Sequence, residues 1–179
     1  MKKITKNLFF LSIFWISFFV SSERIEFLVS ERYQNLSSEI FENISSHHYI
    51  RKIDKKNFNA LYIDALIEEL DPNKNLFLIH EVKNFKKKSL EHNKDDVNFD
   101  INLAYLILNS YFNRLIEISE YQIELLRENN FNLSVDEYID IFYDDNEYPS
   151  SKLELKERWR KITKNDFIVS ILAEDDTSE

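Results

Sequence analysis

Polar residues dominate from about residue 30 to 49, and Leu36, Ile40, Phe41 and Ile44 form one sparse apolar face, which predicts a first helix. Asp54 can cap a second. In it, Phe58, Leu61, Tyr62, Ala65, Leu66 and Leu70 fall at helical spacing, while Asp64, Glu68 and Glu69 keep the other side polar. The residue before a proline is biased away from the helical region, so Asp71-Pro72-Asn73 ends that helix. A turn and a short apolar stretch follow over 73–78, then a shorter third helix from about 80 to 90 on Val82 and Phe85. After a polar loop at 91–96 comes the strongest pattern in the chain, roughly 99–127. There Ile101, Ala104, Tyr105, Leu108, Phe112, Leu115, Ile118 and Leu125 recur at threes and fours. A helix of that length spans about 40 Å and reads as the spine of the fold.

Ser134-Val135-Asp136-Glu137 has capping-box spacing and predicts a short helix. Residues 144–151, acidic and holding Pro149, read as loop. Ser151-Lys152-Leu153-Glu154 repeats the capping-box spacing and opens a helix on Leu155, Trp159 and Ile162. That helix continues through 165–172 or restarts there after a kink. The expected fold class is all-α: a single irregular multi-helix domain built around one long central helix at about 99–127.

The N-terminus has a different pattern. Lys2, Lys3 and Lys6 precede an apolar run from Leu8 to Val20, broken only by Ser12 and Ser17, and Val20-Ser21-Ser22 offers small residues before Glu23. This is the order of a secretory signal peptide. The run is short against the roughly 20 residues of a membrane span, so a cleaved signal is favoured over an uncleaved inner-membrane anchor. The expected organisation is a signal peptide at 1–22, a polar lead-in at 23–38, a helical domain at 39–172 and a disordered acidic tail at 173–179.

Composition narrows the chemistry. The 179 residues include no Gly and no Cys, where an average chain of this length carries roughly a dozen glycines. Glycine-rich phosphate loops, dinucleotide fingerprints, the nucleophile elbow and the standard calcium loop all need glycine and are excluded. The lack of Cys removes disulfides, thiolate zinc sites and cysteine nucleophiles. The formal charge of −9 becomes −12 once the three signal-peptide lysines are cut away, a surface that repels nucleic acid and anionic lipid. No stable membrane insertion is expected after cleavage.

Candidate catalytic and metal groups are sparse. Of the four histidines, His47, His48, His80 and His92, the first two point about 100° apart on a helix and cannot face one metal together, and neither of these two has a second His or Glu partner at ligand spacing. Asp95-Asp96 and Asp144-Asp145-Asn146-Glu147 read as solvated loops rather than calcium sites. Lys86-Lys87-Lys88 lies at the end of the third helix, where cations complement the helix dipole. Serines and lysines are both present, but nothing marks an oxyanion hole or a serine at a sharp turn. The expectation is no catalytic residue, no metal and no cofactor.

One series of blocks carries more. His48-Tyr49, then Leu70-Asp71-Pro72-Asn73-Lys74-Asn75-Leu76-Phe77, then Val82 and Phe85, then Trp159-Arg160-Lys161 with Lys164, running on to Leu172, resembles the N-terminal helical domain of the tail-specific proteases. These are also called carboxy-terminal processing proteases and are exported bacterial serine proteases. The likeness covers roughly residues 39–172. The resemblance implies a non-catalytic domain that precedes a PDZ-like domain and a protease core and packs around the protease platform. It would help to admit substrates or to dock an adaptor. It also implies a periplasmic location, with a protease core, an adaptor or a substrate protein with an apolar C-terminus as partners. The family's Ser–Lys pair lies far downstream, and this chain ends at Glu179, so a truncated chain is expected and no family catalytic residue is placed on it. Where the family tends to carry an Asp-Arg pair, Ile141-Phe142 follow Asp140 here.

The matched residues Tyr49, Leu70, Asp71, Pro72, Phe77 and Trp159 read as structural. Leu70 and Phe77 are expected to clamp the two sides of the turn at Pro72, with Asp71 capping it through backbone N–H bonds. Trp159 is expected to anchor the last helix against the long one, its indole N–H seeking an acceptor. If Trp159 is buried, Trp159→Ala costs about 3–5 kcal/mol. Two other readings stay open: a free-standing exported interaction module that binds a protease, an adaptor or a substrate tail, and an enzyme with an unrecognised site.

Overall fold

The computed structural model describes residues 24–47, 55–92, 100–128, 131–139 and 147–176. The described residues are all-α, with five helices and no strand: α1 Glu31–His47, α2 Lys55–Leu70, α3 Ile79–His92, α4 Ile101–Glu128 and α5 Lys152–Asp176. The expectations for the signal peptide, Asp54, His48, Tyr49, loop residues 93–96, the corner at 140–146 and residues 177–179 concern positions outside the described residues, while Glu91 and His92, expected in that loop, belong to α3.

The long helix is the spine. At 28 residues α4 runs about 42 Å. Asp100 starts it as N-cap: its carboxylate accepts the Leu103 N–H at 3.1 Å, and its own N–H donates to the buried Asn59 amide oxygen on α2. α2 and α3 pack against each other and against the first half of α4, while α5 packs along α4.

Two apolar clusters result. Ile63 and Ile67 of α2, Val82 and Phe85 of α3, and Leu103 and Ile107 of α4 close around Phe77, which is fully buried. Leu76, Leu78, Ile118 and Leu155 form the second cluster, with Tyr111, Leu115 and Trp159 against it. The connection between α2 and α3 therefore serves both. The chain bends at Leu76 and Phe77, and Phe77 enters one cluster while Leu76 and Leu78 enter the other.

Several sequence expectations are corrected by packing. On α2 the buried line is Asn59, Ile63 and Ile67, whereas Leu61 and Tyr62 are exposed. That helix is apolar around much of its circumference, so spacing alone does not select the face that meets α3 and α4. Among the described side chains of α1 only Phe41 is buried, 4.7 Å from the Phe58 ring, and Leu36, Ile40 and Ile44 face outward. The last helix shows no break at 165, and it continues through Asp176, four residues into the segment expected to be disordered. No proline or glycine interrupts it there, and Ala173 is the best helix former.

The helix expected at 134–137 is absent, and the described 131–139 segment is irregular. Its capping groups are committed elsewhere. The Ser134 N–H and hydroxyl both donate to the Asn132 amide oxygen, and the Glu137 carboxylate reaches across to Arg160 and Lys164 of α5. The capping spacing at 151–154 does open a helix. The Glu154 N–H donates to Ser151 Oγ at 3.2 Å, while its carboxylate takes the Ser150 N–H at 2.9 Å.

Candidate functional site

The blocks singled out in the sequence meet at the corner between α2, α3 and the start of α5. Leu70 closes α2 and lies against the first cluster; Asp71 follows and is 2% exposed. Its backbone carbonyl accepts the Lys74 N–H at 3.1 Å, which closes a four-residue turn over the exposed Pro72 and Asn73. Lys74 takes φ 53°, a left-handed conformation that glycine would normally supply. In a chain without glycine a lysine occupies it, at a cost of about 1 kcal/mol.

The Asp71 carboxylate organises what comes next. Oδ1 accepts the Asn75 N–H at 2.7 Å, and Oδ2 accepts those of Leu76 and Phe77 at 3.0 and 2.9 Å. These three donors belong to buried residues, and no helix satisfies them. Burial pushes the Asp71 carboxyl above the ordinary carboxylate range, and the three N–H donors and the charge of Arg158 pull against it.

α5 and the 147–150 segment complete the corner. Trp159, half-buried, donates its indole N–H to the Asn75 carbonyl at 2.6 Å, and the Arg158 guanidinium reaches the Lys74 carbonyl. Pro149 is fully buried and its carbonyl accepts the Ile79 N–H at 2.9 Å, at the first turn of α3. Tyr148 packs on the first cluster. Burial, with the charges of Asp71, Glu68 and Asp64, pushes its phenol up to about 12.

Two charge networks brace the helices around this corner. Arg114, 7% exposed on α4, pairs with Glu81 at 2.8 Å and Glu117 at 2.9 Å. Glu81 also accepts the Leu78 N–H, so it caps α3 and binds α4 at once. Lys152 at the start of α5 adds a bond to Glu117 at 3.1 Å. Burial alone would raise the Glu117 carboxyl, but the Lys152 bond and the charges of Arg114, Lys152 and Lys156 outweigh it and hold it below the usual glutamate range.

The second network fastens the 131–139 segment to α5. The buried Lys164 ammonium donates to the Asn132 and Val135 carbonyls at 2.6 and 3.1 Å and to Glu137 at 2.7 Å. Arg160 joins Glu137 to Glu157. Leu133, Val135 and Tyr138 of this segment stay exposed, so the polar bonds and the Phe131 ring, 5.4 Å from that of Phe167, hold it. Between it and α5 lies a cleft of about 460 Å³, lined in part by Val135, Ile139, Ile162 and Ile168.

The bonds from Arg160 and Lys164 hold the Glu137 carboxyl down at about 2, against an ordinary 4.5. A depressed carboxyl contributes stability above its unfolded pKa and loses it as pH falls through the folded value. The segment should therefore remain seated above pH 4.5 and detach as pH falls towards 2. Pepsin cleavage within 131–139, appearing before helical circular dichroism is lost, would register this. Protection persisting below pH 2 would contradict it.

Leu70, Asp71, Pro72, Phe77 and Trp159 thus occupy one corner, while Tyr49 lies outside the described residues. Sequence reasoning missed Arg114, although a charge between Tyr111 and Ile118 on an apolar stripe is a readable signal. Among the described residues no group of three or more metal-ligating side chains converges. The corner is arranged to hold a turn: its carboxylate binds backbone N–H groups and its indole a backbone carbonyl.

No curated protein matches the chain. The family model described as the tail specific protease N-terminal domain matches residues 40–179, from the middle of α1 through every later helix and the whole corner. The chain belongs to the tail specific protease N-terminal domain family.

Proposed function

We propose that the chain acts as the non-catalytic N-terminal domain of a periplasmic tail-specific serine protease. In this reading it packs around the protease platform and helps to dock a substrate or an adaptor. The observation that carries it is the family match over 40–179. The exposed side of α1 supports a docking role. Tyr33, Leu36, Ile40 and Ile44 follow one another at helical spacing and are each 39–50% exposed, a seam suited to another protein surface. The basic start and apolar run of residues 2–20 support export, and no helix among the described residues is long and apolar enough to cross a membrane.

The test adds the full chain to a preparation of the PDZ-like and serine-protease core of a tail-specific protease, with an unfolded reporter ending in apolar residues. The chain alone should leave the reporter intact and should raise the rate of the core severalfold. Hydrolysis by the chain itself, or a core rate that the chain leaves unchanged, would overturn the reading. The same seam on α1 also favours the free-standing interaction module, which would bind an adaptor without any effect on the core.

A further inference from the structure

The lead-in segment before α1 is held in an unusual way. Asn109 and Asn113 lie one helical turn apart on α4 and each grips one residue of the extended chain at 24–30. Asn113 Oδ1 accepts the Ile25 N–H at 2.9 Å, and its Nδ2 donates to the Ile25 carbonyl at 2.7 Å. Asn109 does the same for Phe27, at 2.6 and 3.0 Å. Each carboxamide thus presents the donor and acceptor that a neighbouring β-strand would present. The Asn113 amide also donates to the Asn109 carbonyl at 2.7 Å, which fixes its orientation.

The spacing fits for a geometric reason. Alternate residues of an extended chain repeat every ~6.6 Å and expose their N–H and C=O on the same side. Residues four apart on a helix repeat every ~6.0 Å. Two asparagines at i and i+4 therefore read residues j and j+2 of an extended chain running antiparallel to the helix. Every polar contact addresses main-chain atoms, so the ladder is indifferent to sequence. One side chain adds a preference: the Phe27 ring lies 5.2 Å from that of Phe112, tilted by 59°.

The present occupant is weakly buried. Phe27 is 43% and Leu28 77% exposed. The bonds at Phe27 are exposed, as in a segment that opens readily, while those at Ile25 are half-buried.

We propose that Asn109, Asn113 and Phe112 form a binding site for an extended, unfolded polypeptide carrying an aromatic residue opposite Phe112. The chain's own residues 25–27 fill this site in cis and give way to a polypeptide from another molecule. The ladder supplies main-chain recognition and Phe112 sets the register. That the foreign polypeptide is a protease substrate rests on the function proposed above; the site itself does not.

The test uses the full chain. Ile25→Pro and Phe27→Pro together remove both N–H donors and the aromatic ring, and so vacate the site. The probe is a fluorescent, end-blocked peptide of residues 24–30, with a scrambled version that keeps its phenylalanine central. The vacated variant should bind both peptides within a few-fold of each other and at least tenfold more tightly than wild type, whose tethered segment competes. Adding Asn109→Ala and Asn113→Ala should weaken binding at least tenfold, with helical circular dichroism unchanged. No binding to the vacated variant would overturn the proposal, as would binding that survives loss of the asparagines or is confined to the native order.

If the proline variant does not fold, amide exchange in the wild type replaces it. Excess peptide should then speed exchange at Ile25 and Phe27 severalfold, and an unchanged rate would overturn the proposal. A wild-type dimer with the lead-in of one copy in the ladder of the other would also overturn the choice of ligand. These readouts need no protease core, so failure here and failure of the core assay are separate results.

Discussion

Asp71→Ala should cost about 3–5 kcal/mol of folding stability, as much as truncating a buried core phenylalanine. The carboxylate accepts three N–H groups from Asn75, Leu76 and Phe77, all of them buried. An orphaned buried donor costs about 1–3 kcal/mol, and some of that is recovered by water entry and by relief of the buried charge. The loss also propagates. Those three residues feed Phe77 into one apolar cluster and Leu76 into the other, so a loosened turn unseats both. Asp71→Asn separates acceptor geometry from packing. It keeps the shape and one acceptor oxygen but points an NH₂ group at N–H donors, so it should recover less than half of the loss. In urea, both variants should lower the midpoint and leave the slope unchanged. A loss below about 1 kcal/mol for Asp71→Ala would show that the turn does not depend on its carboxylate.

Trp159→Ala should cost about 2–4 kcal/mol, less than full burial would imply because the side chain is half-buried. The indole covers the second cluster beside Leu76, Leu78, Ile118 and Leu155, and its N–H donates to the Asn75 carbonyl at 2.6 Å. Trp159→Phe keeps most of the apolar area and loses the donor, so it should cost about 1–2 kcal/mol. The difference between the two variants measures packing apart from the hydrogen bond. Asp71 and Trp159 act on opposite sides of Asn75, through its N–H and its carbonyl. Their effects should therefore be non-additive by at least about 0.5 kcal/mol in a double-mutant cycle. Full additivity would mean that the turn and α5 hold their places independently.

The long helix and the Asp-Pro turn were legible in the sequence because each rests on local rules. Apolar residues at threes and fours over 28 positions admit one reading, and a proline after Asp71 stops α2 whatever surrounds it. Which side of α2 is buried was not legible. Leu61 and Ile63 are equally apolar, and only the positions of α3 and α4 decide that Ile63 goes inward. The capping pattern at 134–137 failed for the same kind of reason. Glu137 has a local partner in principle, but Arg160 and Lys164, more than twenty residues away, are stronger ones. The amide ladder was hidden because asparagine on a helix carries no hydrophobic signal. Asn109 and Asn113 acquire meaning only when an extended chain lies beside them.

In the proposed function this domain works by association with a protease core. Sedimentation of the purified chain, alone and mixed with the PDZ-like and protease core of a tail-specific protease from the same source, tests it most directly. A one-to-one complex with a Kd of about 10 µM or tighter, some −7 kcal/mol, is expected. Tyr33→Glu with Ile40→Glu, on the exposed seam of α1, should weaken that complex at least tenfold without loss of helix. Independent sedimentation of the two components at about 100 µM would contradict it.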